Sequence, residues 1–168
     1  MAGSTNGHGF AVDVENLRQR ARKHIEQGAV TESYGADVTT VCNVLNEVLA
    51  TEIVCYLRYK RHAAMAPRVA GIAGEAIVKE LAQHAGEEQE HADRVAQRIA
   101  QLGGQPNYDP AGITTRAHAQ YVAGESLEEM LREDLGAERI AIETYGEIIR
   151  FLGNGDPTSR RMMEQTKI

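Results

Sequence analysis

Residues 77–104 read IVKELAQHAGEEQEHADRVAQRIAQLGG. Ile77, Leu81, Val95, Ile99 and Leu102 recur at spacings of three and four, which places them on one face of a helix. Gly103-Gly104 ends that helix, and Pro106 prevents its resumption. His84, Glu88 and His91 occupy the same face. An apolar stripe on so long a helix belongs in the core of a helix bundle, so ionisable residues in its middle need a reason.

The pattern repeats on both sides. Upstream, from near Asp37, a stripe runs Val38, Val41, Leu45, Val48, Glu52, Cys55, Tyr59, His62. Downstream, Ser126 with Glu129 forms a capping-box signal, followed by Leu127, Leu131, Leu135, Glu138, Ile142, Tyr145, Ile149 and Leu152, and Gly153 closes the helix. The first link, Met65 to Gly74, carries Pro67 and glycine and suits an antiparallel hairpin. The second, Gly103 to Glu125, is long enough to cross the bundle, so that the third long helix runs parallel to the second. A fourth helix starting after Asp156-Pro157 has room for about three turns before residue 168.

Ahead of these, Met1 to Val12 reads as a flexible lead, and Asp13 to Gln27 as a short helix ended by Gly28. Arg18, Arg20, Arg22 and Lys23 give that helix a basic side, read as a solvated face or as a contact with nucleic acid or a neighbouring subunit. The expected architecture is one all-α domain over 1–168: lead 1–12, N-terminal helix 13–28, and a four-helix bundle over 37–168 with a long crossover and a truncated fourth helix.

Composition bounds the function. At 42% apolar and 25% charged residues with 4 prolines, the chain is neither collagenous nor globally disordered. Its net charge of −6 argues against a nucleic-acid backbone as general partner and leaves only a local basic patch for one. No stretch reads as a membrane span or a signal peptide, so a cytoplasmic location is expected. Cys42 and Cys55 are ~20 Å apart along one helix at ~1.5 Å per residue, too far to bridge.

Glu52, Glu88, His91 and Glu138 sit mid-helix on the stripes. Converging carboxylates in a core repel one another and lose hydration, and a bound cation removes both costs. Glu88 and His91, three apart, project from one face and can reach the same ion. A Glu on one helix with a Glu-x-x-His on the next is half of a carboxylate-bridged di-iron or di-manganese site, and Glu138 begins the other half. Hard oxygen donors with one imidazole favour iron, with manganese or zinc as substitutes. Glu52 is followed seven residues on by Tyr59, and Glu138 by Tyr145, the echo of a duplicated hairpin. Counted from Glu138, the interval from Glu52 to Glu88 falls beyond residue 168. Tyr59 and Tyr145 are candidates for core packing or for a redox or supporting role. His62 and His84 read as hydrogen-bonded histidines before accessory ligands, and Cys55 as a small buried side chain.

Leu45-Asn46-Glu47, Ala50-Thr51-Glu52-Ile53 with Tyr59, Glu88-Gln89-Glu90-His91-Ala92-Asp93, Gln101 to Asn107 and Glu128 to Arg132 together resemble a bacterioferritin, within the ferritin-like superfamily that includes Dps-like proteins. The resemblance covers residues 37 to 168. It implies a four-helix subunit of a hollow homo-oligomeric cage that takes Fe(II), oxidises it at a di-iron centre with oxygen or hydrogen peroxide, and stores the ferric product. By position it makes Glu52 a terminal ligand, Glu88 a bridging carboxylate, His91 its imidazole partner, Glu138 the ligand of the third long helix and Tyr59 the tyrosine beside the centre. Haem is not expected, because Gln89 stands where the haem-binding members carry Met. The family's fourth helix supplies a second Glu-x-x-His, absent from the residues after Met163. The chain is therefore expected either to act as a ferroxidase with four of six ligands or to persist as a catalytically impaired structural subunit. A Dps-type DNA-protecting role ranks third.

Overall fold

A computed structural model describes residues 11–69 and 74–166. Most of the expected lead and the centre of the first link therefore lie outside the described residues. Six helices follow in order: α1 (Val14–Lys23), α2 (Val38–Val69), α3 (Gly74–Gln101), α4 (Ile113–Arg116), α5 (Leu127–Leu152) and α6 (Pro157–Thr166). No strand occurs among the described residues. The architecture is the expected all-α bundle, with a short N-terminal helix and a short last helix.

Helix ends follow local chemistry. Asp13 caps α1 by accepting from Asn16 N at 3.0 Å, and Ser126 caps α5 in a closed capping box with Glu129. Gly103 takes a left-handed φ of 81° beyond α3, and Gly104 N donates to Ile99 O at 2.9 Å. Contrary to the expected link from Met65, α2 continues through Pro67 to Val69. A proline in a last, exposed turn forfeits one backbone bond where water can replace it, so the helix survives it.

Side-chain contacts fix the topology. Gly104 packs on Cys42, so α3 returns antiparallel to α2. Tyr145 bonds to Glu52, and Glu138 to Tyr59, so α5 is antiparallel to α2 and parallel to α3. The crossover lies along α2: Asn107 N donates to Asn46 Oδ1 at 2.7 Å, His118 N to Thr51 Oγ1 at 2.9 Å, and Arg58 to Gln120 O at 3.1 Å. α6 returns against α3 and α5. Asp156 caps it by accepting from Ser159 N at 2.9 Å, and Arg98 of α3 clamps Asp156 at 3.0 Å and Ser159 Oγ at 2.8 Å.

The core is uneven. Where α6 closes the bundle, Val41, Leu45, Val48, Leu49, Val95, Ile99, Tyr145, Ile148, Leu152 and Met163 form one large cluster. Toward the other end a smaller one holds Tyr59, Ala66, Leu81 and Ala85. The α2 stripe is buried from Val41 to His62. An 18-residue window within α2 reaches a mean hydropathy of 1.3, so by length and composition this helix does pass for a membrane span, contrary to the sequence reading. Its place at the centre of the bundle accounts for that hydropathy. The α5 stripe also departs from expectation: Met130, Asp134 and Ala137 are buried, while Leu131 and Leu135 are exposed. The inward face of the first half of α5 lies one residue off the apolar stripe, because Arg58 and His62 on α2 draw Asp134 inward.

Candidate metal centre

Glu52, Glu88 and His91 meet between the two apolar clusters, at 2%, 7% and 8% exposure. One ligand atom from each lies within 4.8 Å of the others. His91 Nδ1 is 3.4 Å from Glu52 Oε2 and 3.7 Å from Glu88 Oε2. The three border a cavity of about 20 Å³, with Cys55, Glu138, Tyr145 and Thr166 also in its wall. That volume suits one water or small ion.

Each helix delivers its residue by register. Glu52 continues the stripe that buries Val41, Leu45 and Val48, so packing alone turns it inward. Glu88 and His91, one turn apart on α3, face it directly. Glu138 on α5 is half-buried, lines the same cavity and stands outside the tight triad. The two tyrosines cross: Tyr145 of α5 donates to Glu52 of α2, and Tyr59 of α2 donates to Glu138 Oε1 of α5 at 2.6 Å. The sequence echo thus becomes a reciprocal brace in which each helix orients the other's carboxylate.

The electrostatics follow from burial. Loss of water and the neighbouring Glu52 push Glu88 up to about 8. Burial works against a charged His91, but Glu52 and Glu88 outweigh it and raise the ring to about 9. Burial and Glu52 hold the Tyr145 hydroxyl well above the ordinary range, and burial and Glu138 do the same for Tyr59. Both tyrosines therefore remain neutral donors to the carboxylates. Burial, then Glu88, raises the Cys55 thiol, so it stays protonated. Its sulfur lines the cavity as a small apolar group.

The donor set fits a hard cation: carboxylate oxygens and one imidazole, buried together, with no lysine or arginine lining the cavity among the described residues. His84 and His62 serve elsewhere. His84 stacks on Tyr59 with ring centroids 5.3 Å apart. His62 Nδ1 lies 2.9 Å from Asp134, and its Nε2 lies 3.1 Å from Ala123 O. Arg58 donates to Asp134 at 2.9 Å in the same buried group. This Arg58–Asp134–His62 cluster, beside Tyr59 and one turn from Glu138, escaped the sequence reading. A charged residue beside an apolar stripe carries no mark of burial until its partner on another helix is known.

The comparisons agree with the geometry. The ferritin-like domain profile matches residues 42–167. A DNA protection during starvation protein from Pyrococcus furiosus is 31% identical over 135 residues, 76% of this chain and 69% of that one. Among solved structures, the bacterioferritin-related dodecameric thioferritin of Bacteroides fragilis superposes with a TM-score of 0.73 at 29% identity, over 79% of each chain. Dps from Thermosynechococcus elongatus shares the fold at a TM-score of 0.72 and 21% identity, over 77% of this chain and 82% of that one. With three-quarters of its length matched and an intact triad of buried carboxylates and histidine, this chain belongs to the ferritin-like domain family.

Proposed function

We propose that this protein takes up Fe(II) at Glu52, Glu88 and His91, assisted by Glu138, and oxidises it for storage or detoxification within a homo-oligomer. The observation that carries the reading is the triad: two buried glutamates and a histidine facing one small cavity. Such a group is costly to leave without a cation and stable with one. Fe(II) enters as substrate and gives up an electron to oxygen or hydrogen peroxide. Glu52, Glu88 and Glu138 balance the rising positive charge, and His91 must shed its proton to coordinate. Tyr145 and Tyr59 keep Glu52 and Glu138 aimed at the cavity. Homo-oligomeric assembly is supported by the dodecameric Bacteroides fragilis relative.

The test is anaerobic addition of Fe(II) to metal-free protein, followed by air. Near-ultraviolet absorbance growing faster than in buffer, and lost in Glu52→Ala, supports the reading. Growth equal to buffer defeats catalysis, and failure of Fe(II) to bind before air defeats the site itself.

A second reading, DNA protection, draws on the Pyrococcus furiosus relative and on the basic α1, none of whose residues is buried. Retardation of duplex DNA at low salt that disappears on removal of α1 would favour it.

A further inference from the structure

Arg58, His62 and Asp134 are 1%, 0% and 4% exposed, and none of the three is among the described residues that line the metal cavity. Arg58 Nε donates to Asp134 Oδ1 at 2.9 Å, and His62 Nδ1 lies 2.9 Å from Asp134 Oδ2. The same two side chains grip the end of the crossover: Arg58 donates to Gln120 O at 3.1 Å, and His62 Nε2 lies 3.1 Å from Ala123 O. Arg61 adds bonds to Ala123 O and Gly124 O, just ahead of the Ser126 cap of α5. One stretch of α2 thus ties down both the entry to α5 and Asp134 within it.

That stretch also serves a second acid. Between Arg58 and His62, Tyr59 donates to Glu138 Oε1 at 2.6 Å. Asp134 and Glu138 are four residues apart, roughly 6 Å along one face of α5, so two neighbouring carboxylates of one helix are held by one turn of another. Apolar packing does little to fix this part of α5. The buried cluster where α2, the crossover and α5 meet consists of Cys55, Ala119 and Ala137. Side chains this small bury little area and offer no ridge that sets how the helix is rotated or shifted. A buried ionic group adds little stability over apolar side chains of like volume, but it permits only one arrangement.

We propose that Asp134 is a positioning residue for the fourth carboxylate: pinned by Arg58 and His62, it sets the rotation and height of α5 that deliver Glu138 to the metal cavity. Glu52, Glu88 and His91 come from α2 and α3 and do not depend on the pin. A ligand misplaced by about 1 Å loses its geometry toward the ion, so the pin acts on metal binding through Glu138 alone. The inference rests on the reading of Glu138 as a ligand, and its test separates the two.

The experiment titrates the metal-free full chain with Co(II) in the absence of oxygen, reading affinity by equilibrium dialysis and coordination by visible absorbance. Glu138→Gln should weaken Co(II) binding at least ~10-fold and Asp134→Asn by a similar factor. The double variant should bind no more weakly than Glu138→Gln alone, because Asp134 has no other route to the metal. Asp134→Glu keeps a carboxylate facing Arg58 and His62 but is one methylene longer. It should retain helicity by circular dichroism and show the same loss, again absent in the Glu138→Gln background, and it carries the test by itself where Asp134→Asn fails to fold. A role in cohesion alone would weaken binding by equal factors in both backgrounds. Such multiplying losses, or Asp134 variants that bind as the wild type while Glu138→Gln is weakened, would overturn the proposal and leave the metal reading standing. A wild-type chain that takes up no Co(II), or a Glu138→Gln variant that binds as tightly as wild type, would defeat the reading of the ligands and the proposal with it.

Discussion

Glu88 and His91 both hold their protons more tightly in the folded chain than in the unfolded one, Glu88 up to about 8 and His91 to about 9. The stability this confers is fully present at low pH and fades as pH rises through those values. The metal-free protein should therefore lose thermal stability between about pH 5 and 9, measured by calorimetry in chelator. Metal ions need the deprotonated groups, so their affinity should climb over the same window, with protons released on binding. Isothermal titration in buffers of different ionisation enthalpy checks the release. Glu88→Gln mimics the protonated carboxyl. It should flatten the pH dependence of the metal-free chain and weaken metal binding by at least about tenfold. The Arg58–Asp134 pair is nearly free of solvent. Arg58→Met should cost about 3–5 kcal/mol in urea unfolding, because it leaves the Asp134 carboxylate buried with only His62 as partner.

At the level of elements, the α3 stop shows how a helix end becomes a packing site. A Cβ at Gly104 would stand 2.7 Å from Cys42 Sγ and 3.0 Å from Ile99 Cγ2. Gly104→Ala should destabilise by about 1–3 kcal/mol, and Cys42→Ala in that background should recover part of the loss, which a double-mutant cycle in denaturant measures. α6 makes the complementary case. A helix of ten residues is too short to be stable alone, and it is held by the Arg98–Asp156–Ser159 clamp and by Met163 in the core. Arg98→Met should release it first, seen as faster amide exchange confined to residues 157–166.

Over the whole molecule, apolar packing is concentrated at the α6 end and the candidate metal site sits where the large core gives way to the small one. Leu49→Ala, in the large cluster, should cost about 2–5 kcal/mol. Saturating metal should raise the melting temperature of the wild-type chain and leave Glu52→Ala unmoved. Much of this arrangement was legible beforehand. Stripes at helical spacing located three long helices, Ser126 with Glu129 and the glycine stops marked ends, and the spacing of Glu88 to His91 with Glu52 marked the triad. The α5 stripe misled, because it reported which residues are apolar and could not report which face of the helix Arg58 and His62 on α2 draw inward. Asp134 was missed for the matching reason: its burial depends on Arg58 and His62 on another helix.

The sequence by itself determined the five longer helices, their order and the inward register of Glu52, Glu88 and His91, since those follow from periodicity and local capping along one chain; the short α4 in the crossover was not among them. Only the tertiary structure decided that Tyr59 of α2 and Tyr145 of α5 brace the glutamates on each other's helices, that Asp134 is buried, and that Leu131 and Leu135 are exposed. Those features depend on distances between separate helices, and residue spacing along a single helix does not encode them.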